Sequence, residues 1–295
     1  MKNRQIMHVL TGLFMSLIIT MNAEGGIYST ADPGGADVEL RESLPTAARG
    51  DSTEIASRIL GNDEYGRNSV IYLKFGVDEI SATELLGNIT VRTTFRNPNL
   101  TAVRIEDIGG GANTGFDYYV MDPTLFGADW DEATITPMTA PAYHYDGDFK
   151  TKGTGTPSSP TTGLTYLGTQ LFDSADLVGT TSPHLLVGSA FDLVTSPGSP
   201  LHSAIMMAKT TKHRTVTVAM GIAHDWDTPN ASWVNMNYLF NPKEIDPLRP
   251  DSDSPYSEAS NANGEFAPAL ITIPEPSSII FLVLAGGMMV RQRQW

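Results

Sequence analysis

The feature that most constrains this chain is a two-residue period in its apolar side chains, repeated in many short runs through its middle. In Val70–Val77 the side chains of Ile71, Leu73, Phe75 and Val77 fall on one side. Ile89, Val91, Thr93 and Phe95 share a face, with Thr90, Arg92 and Thr94 opposite. A period of two is the signature of a strand with one buried face. After the turn signal Asn97-Pro98-Asn99, Val103 and Ile105 continue the pattern. Phe116, Tyr118 and Val120 follow, then Val216, Val218 and Met220, then Val234, Met236, Tyr238 and Phe240, and finally Ala269–Ile273. Helical periodicity is scarce: Ser81–Leu86 and Ser174–Val178 are each long enough for a turn or two.

Many short strands punctuated by Gly, Pro and Asn predict an all-β fold, a single jelly-roll-like antiparallel β-sandwich over residues 24–273. Gly153–Gly163 is almost wholly Gly, Thr, Ser and Pro, and Pro247–Ala267 is polar and rich in Pro, Ser and Asn; both read as loop insertions. A domain boundary at the first of them would leave neither half with enough strands to close a core.

Each end of the chain departs from this pattern. Lys2 and Arg4 precede a mostly apolar run, Val9–Met21, which ends in Asn22-Ala23-Glu24. Basic start, short apolar run and small residue before a polar chain are the parts of a secretory signal peptide, here residues 1–23. At the other end, Pro274-Glu275-Pro276 precedes twelve uncharged residues, Ile279–Val290, and then Arg291-Gln292-Arg293. The prolines keep the backbone extended. As a helix the uncharged stretch covers about 18 Å, less than a bilayer core of about 30 Å.

Residues 274–295 resemble the PEP-CTERM sorting signal, in which a rigid turn, an apolar segment and a basic stop follow in this order. The resemblance implies an exosortase-type processing enzyme as partner, transient insertion in the inner membrane of a Gram-negative bacterium, and cleavage near Pro274, Glu275 and Pro276. Arg291 and Arg293 would hold the end on the cytoplasmic side. Delivery to the cell surface or the extracellular, exopolysaccharide-rich matrix of a biofilm follows from the same resemblance. A plain carboxyl-terminal membrane anchor is the alternative, for which the segment is short.

Composition narrows the partners. Setting aside Lys2, Arg4, Arg291 and Arg293, 15 of the 19 bases remain, against 33 acids in the whole chain. No basic face is available to replace phosphate counterions, which argues against nucleic acid. Cysteine is absent, which removes disulfides, thiolate metal sites and thiol nucleophiles.

A second similarity lies in the middle. Asp129-Trp130-Asp131-Glu132-Ala133-Thr134-Ile135-Thr136, followed by Ala140-Pro141, resembles a segment of DNRLRE-type, carbohydrate-binding-module-like β-sandwich domains. There a Trp and an acid lead into a Thr-Ile-Thr strand. Tyr72–Val77, the strand pair from Arg92 to Ile105, and Asn241-Pro242-Lys243-Glu244 are similar to other parts of that family. Pro137 stands where the family carries a second Trp, and the family's name-giving motif is absent.

Candidate binding residues follow from the chemistry of sugars, whose apolar faces stack on flat rings. Trp226 and Trp233 flank the loop Asp225–Ser232, and Tyr143 and Tyr145 bracket His144. Trp130 has the same chemistry, but a Trp opening a strand is more commonly a core residue. Calcium is the cofactor suited to the paired carboxylates Asp129 with Asp131 and Asp251 with Asp253, since it favours hard oxygen ligands in loops. His224-Asp225 is the most enzyme-like pair, yet neighbours in a strand point to opposite faces. No G-x-S-x-G elbow or H-E-x-x-H helix occurs. The chain therefore reads as a non-catalytic exported surface or matrix protein that binds exopolysaccharide. A polysaccharide lyase or hydrolase on the same sandwich, and a self-associating coat protein, are the alternatives.

Overall fold

Residue type alone makes the strands: β-branched and aromatic side chains dominate the segments that pair, and Gly, Pro and Asn sit between them. The computed structural model describes residues 25–41, 43–50, 52, 55–59, 69–96, 102–104, 115–143, 163–171, 177–178, 184–186, 190–223, 236–240, 242–243 and 266–273. The signal segment 1–23, the tail 274–295 and most of the loops 153–163 and 247–267 lie outside them. Among the described residues the fold is all-β and antiparallel, with one α-helix.

The first limb of the main sheet runs in the order β1 (Ile27–Ser29), β14 (Ala269–Ile273), β5 (Asn88–Arg96) and β11 (Ala190–Thr195). The second limb runs β13 (Met236–Phe240), β3 (Ile55–Ile59), β4 (Ser69–Gly76), β12 (Thr215–Ala223), β7 (Gly115–Met121) and β8 (Leu164–Leu171), with β2 (Ala36–Arg41) also on β4. The limbs are joined where β13 meets β5 at Leu239↔Arg96 and Phe240↔Phe95. A separate small sheet holds β6 (Ala102–Arg104), β10 (His184–Leu186) and β9 (Leu177–Val178).

The limbs share one core. Ile71, Leu73 and Phe75 of β4, Val216, Val218 and Met220 of β12 and Phe116 and Tyr118 of β7 meet Ile89 and Val91 of β5, Phe191 and Leu193 of β11 and Leu270 of β14. Phe116, Phe191 and Phe240 pack edge to face, with centroids 5.2–6.1 Å apart, geometry that adds about 0.5–1.5 kcal/mol per pair beyond burial. One end of the core is capped by α1 (Pro200–Ala208), whose Leu201, Ala204, Ile205 and Ala208 face inward. Pro200 at the first helical position fixes the entry angle. Buried His202 ties the helix to the sheet: Nε2–H donates to the Gly87 carbonyl at 2.9 Å, and Nδ1 takes the Ser199 hydroxyl at 2.8 Å.

The alternation predicts one buried face for β4, but both are buried. The second limb's outer face carries Val38, Leu40, Val70, Tyr72, Tyr119, Met121 and Ala219, covered by Trp130, Ile135 and Ala140 from residues 122–143. That covering segment also corrects the strand expected at Thr134–Thr136. Asp131 Oδ1 accepts the Ala133 N–H at 2.8 Å, and the Asp131 carbonyl accepts from Thr134 and Ile135, so the chain turns instead of extending. The helical turn expected at Ser174–Val178 is overturned at its described end, where Leu177–Val178 pairs with Leu185 and His184. Ser81–Leu86 does contain a helical turn, of 3-10 type, at Glu84–Leu86.

Candidate functional site

Lys74 is the one lysine in a strand whose other residues, Gly76 excepted, are also buried. Strand alternation puts it on the outer face beside Tyr72, under Trp130. The indole is 5 % exposed, tilted against the Tyr72 ring at 6.3 Å, and its N–H donates to Thr217 Oγ1 at 3.0 Å. Lys74 Nζ donates to the Trp130 carbonyl and stands 4.8 Å from the centroid of its ring. Asp129 Oδ1 lies 4.0 Å from the same nitrogen. Burial pushes the Lys74 pKa down, while Asp129, Asp131 and Glu132 act against that shift. A buried ammonium persists only with such partners.

Asp129 is half-exposed and turns its other oxygen, Oδ2, to His213 Nδ1 at 2.6 Å. The next residue, Arg214, has φ 52°, in the left-handed region, and pairs with Asp78 at 2.5 Å. A non-Gly residue held there carries local strain.

On the other side of Trp130, Glu132 Oε1 binds Lys243 Nζ at 2.7 Å. The Lys243 backbone N–H donates to Asp37 Oδ2 at 2.9 Å, and Thr30 Oγ1 donates to the same oxygen at 2.7 Å. Asp37 lies on the edge strand β2 and is almost wholly buried; among the described residues its Oδ1 and the Oε2 of Glu132 have no hydrogen-bond partner. Burial, helped by Glu132, pushes the Asp37 carboxyl up to about 6 against the hydrogen bonds from Thr30 and Lys243. Gly50 closes over this corner, because a side chain there would meet the Glu132 carbonyl at 2.2 Å.

Of the residues singled out from sequence, Asp129 and Asp131 lie in this cluster with different partners, His213 for one and a backbone N–H for the other. Among the described residues no three His, Asp or Glu side chains converge as metal ligands. Tyr143 is half-buried and packs against the cluster under Trp130. Trp226, Trp233, Tyr145, Asp251, Asp253, His224 and Asp225 lie outside the described residues, as do Pro274, Glu275, Pro276, Arg291 and Arg293. Trp130 is a core residue.

Lys74, His213 and Asp37 are not among the site residues singled out from sequence, and Lys243 enters there only within the resemblance of Asn241–Glu244. Lys74 alone carried a signal, a charge inside an otherwise apolar strand; the others are recruited by pairing between distant segments. The cluster offers ion pairing and acid–base chemistry around a buried indole. Compared with known proteins, the chain matches no family model, and no curated protein is similar to it.

Proposed function

We propose that the chain is a non-catalytic, exported surface or matrix protein: a jelly-roll-like β-sandwich, sorted and trimmed through its ends, that associates with exopolysaccharide outside the cell. The observation that carries this reading is the pairing of β1 with β14. Ile27↔Ile271, Tyr28↔Leu270 and Ser29↔Ala269 are in antiparallel register, and the Thr272 N–H donates to the Gly26 carbonyl at 2.9 Å. The first and last strands therefore end at one corner of one sheet. The basic-apolar-small start and the Pro-Glu-Pro, apolar, arginine finish both leave from that corner. A membrane-held precursor with this connectivity can lose either end without breaking a strand that the other half needs.

The all-β core supports the reading in a second way. Tyr72 and Trp130, the aromatics of the module-like segment, are consumed by the interior, as in a scaffold whose ligands meet loops at its rim. Intact mass of the protein taken from its native cells tests the proposal. A product beginning near Glu24 and ending near Pro274–Pro276 is expected, and a chain still carrying Arg293 and Trp295 overturns it. Retention of that mature product on the cells' own exopolysaccharide is expected in a pull-down, and loss of the folded protein in the flow-through counts against the binding half.

A further inference from the structure

We propose that the outward face of the first limb rests on a lipid bilayer while the carboxyl-terminal tail is still attached. This inference rests on the sorting reading above and adds a surface to it. The register across the limb aligns four residues in one row: Val194 of β11 opposite Thr90 of β5, Thr90 opposite Ile271 of β14, and Ile271 opposite Ile27 of β1. The inward neighbours Ile89, Val91, Leu193 and Leu270 fill the core, so this row points out. Ile27 is 70 % exposed and Val194 58 %, while between them Ile271 is half-buried and Thr90 is buried, so the row's exposed apolar groups are at its two ends. Ile273, two residues beyond Ile271 on the same face, is 57 % exposed. In the next row inward along the strands stand Arg92 and Asp192, joined by two hydrogen bonds of 2.8 and 2.6 Å. The apolar row is thus confined to the end of the sheet where the chain leaves for the tail.

Its place decides its partner. Five residues lie between Ile273 and Ile279, where the uncharged stretch begins, and the six chain steps, fully extended, reach about 20 Å. While the tail is inserted, that tether keeps the corner within this distance of the headgroups. Four aliphatic side chains are too few to hold a free protein at a membrane. On a short tether the same contact becomes intramolecular, at an effective concentration high enough to populate it. Charge does not drive the contact, since the chain carries a net −14 and Arg92 on this face is neutralised by Asp192. The contact is apolar and holds the precursor in one orientation until the tail is cut.

The chain has no cysteine, so single Ile27→Cys, Val194→Cys, Phe126→Cys and Ala285→Cys substitutions in the full-length protein accept a polarity-sensitive fluorophore cleanly. Phe126 is 99 % exposed in the segment that covers the other limb. The labelled proteins are reconstituted in vesicles of phosphatidylethanolamine and phosphatidylglycerol carrying a lipid-bound quencher. Expected are shorter-wavelength emission and roughly two-fold or greater quenching at 27 and 194, as for groups about 5–10 Å into the headgroup boundary. Position 126 stays unquenched and position 285 is quenched. Quenching at 285 without any at 27 and 194 overturns the contact and leaves the tail reading intact. No quenching at 285 overturns the tail reading and the contact with it. A blue shift at 27 in detergent without lipid, with the unlabelled Ile27→Cys protein oxidising to a covalent dimer, overturns the contact in favour of a second copy of the chain.

Discussion

Thr272 links the charge of Glu84 to the first residues of the fold: its hydroxyl donates to Glu84 Oε1 at 2.6 Å and accepts the Gly26 N–H at 2.7 Å. Tyr28 Oη donates to the same carboxylate oxygen at 2.8 Å, and the Ser81 N–H to the other at 2.7 Å. Ser81 Oγ in turn accepts the Glu84 N–H at 3.2 Å, a reciprocal exchange of the capping-box kind. One carboxylate thus pins both end strands to the turn before β5. Glu84→Ala is expected to cost about 2–4 kcal/mol, since it removes several charge-assisted hydrogen bonds and strands buried donors. Urea titration checks this, and an unchanged midpoint refutes the pin.

The same residue contributes to the acid limb of stability. Burial pushes the Glu84 carboxyl up, but the hydrogen bonds from Thr272, Ser81 and Tyr28 outweigh it and bring it down to about 2. Its folded pKa is below its ordinary 4.5, so its contribution is complete above that pH and fades as pH falls toward 2. In Glu84→Gln the slope of Tm against pH over that window is expected to flatten.

Asp37 acts with the opposite sign. Its carboxyl rises from 3.8 to about 6, so the fold disfavours its ionised form. Stability from this group is greatest below about pH 4 and declines as pH rises to 6. Asp37→Asn keeps an acceptor for Thr30 and Lys243 without the charge. It is expected to gain up to about 2 kcal/mol at pH 8 and nothing at pH 4. A variant equally destabilised at both values would refute the assignment.

The alternation in Val70–Val77 and Ile89–Phe95 identified the inner face of both limbs, because a period of two is a local property of the chain. It did not identify the second core: Val70, Tyr72 and Lys74 read as solvent-facing until residues 122–143 fold over them. Asp129 was visible as an acid in a loop, but its partner His213 reaches it only once β12 lies beside β4. The helix α1 was not expected from the sequence: Ser196-Pro197-Gly198-Ser199-Pro200 leads into it, and its apolar face shows only against the core. Ser81-x-x-Glu84 was legible as a helical turn, whereas its tie to Thr272 depended on strand pairing across nearly the whole chain.

Ala142 has φ 57°, in the left-handed region where a β-carbon crowds the backbone. Ala142→Gly is expected to raise stability by about 0.5–1 kcal/mol, the relief of strain exceeding the added freedom of the unfolded chain. Thermal unfolding of the purified variant checks it; a lower Tm contradicts the strain.

Trp130 and Lys74 separate packing from charge at the covered face. Trp130→Ala empties the space over Tyr72 and leaves the Thr217 hydroxyl without its indole donor, so it is expected to cost about 3–5 kcal/mol. Trp130→Phe keeps most of the ring and loses the N–H, and about 1–2 kcal/mol is expected. Lys74→Met replaces a buried ammonium by an apolar chain of similar length. Asp129 keeps His213 as its partner, so the variant is expected to fall within about 1 kcal/mol of the parent or to exceed it, because removing a desolvated charge offsets the lost contacts. Chemical denaturation of the three variants gives the order directly. If Lys74→Met proved as damaging as Trp130→Ala, the ammonium and not the indole would be what fastens residues 122–143 to the sheet.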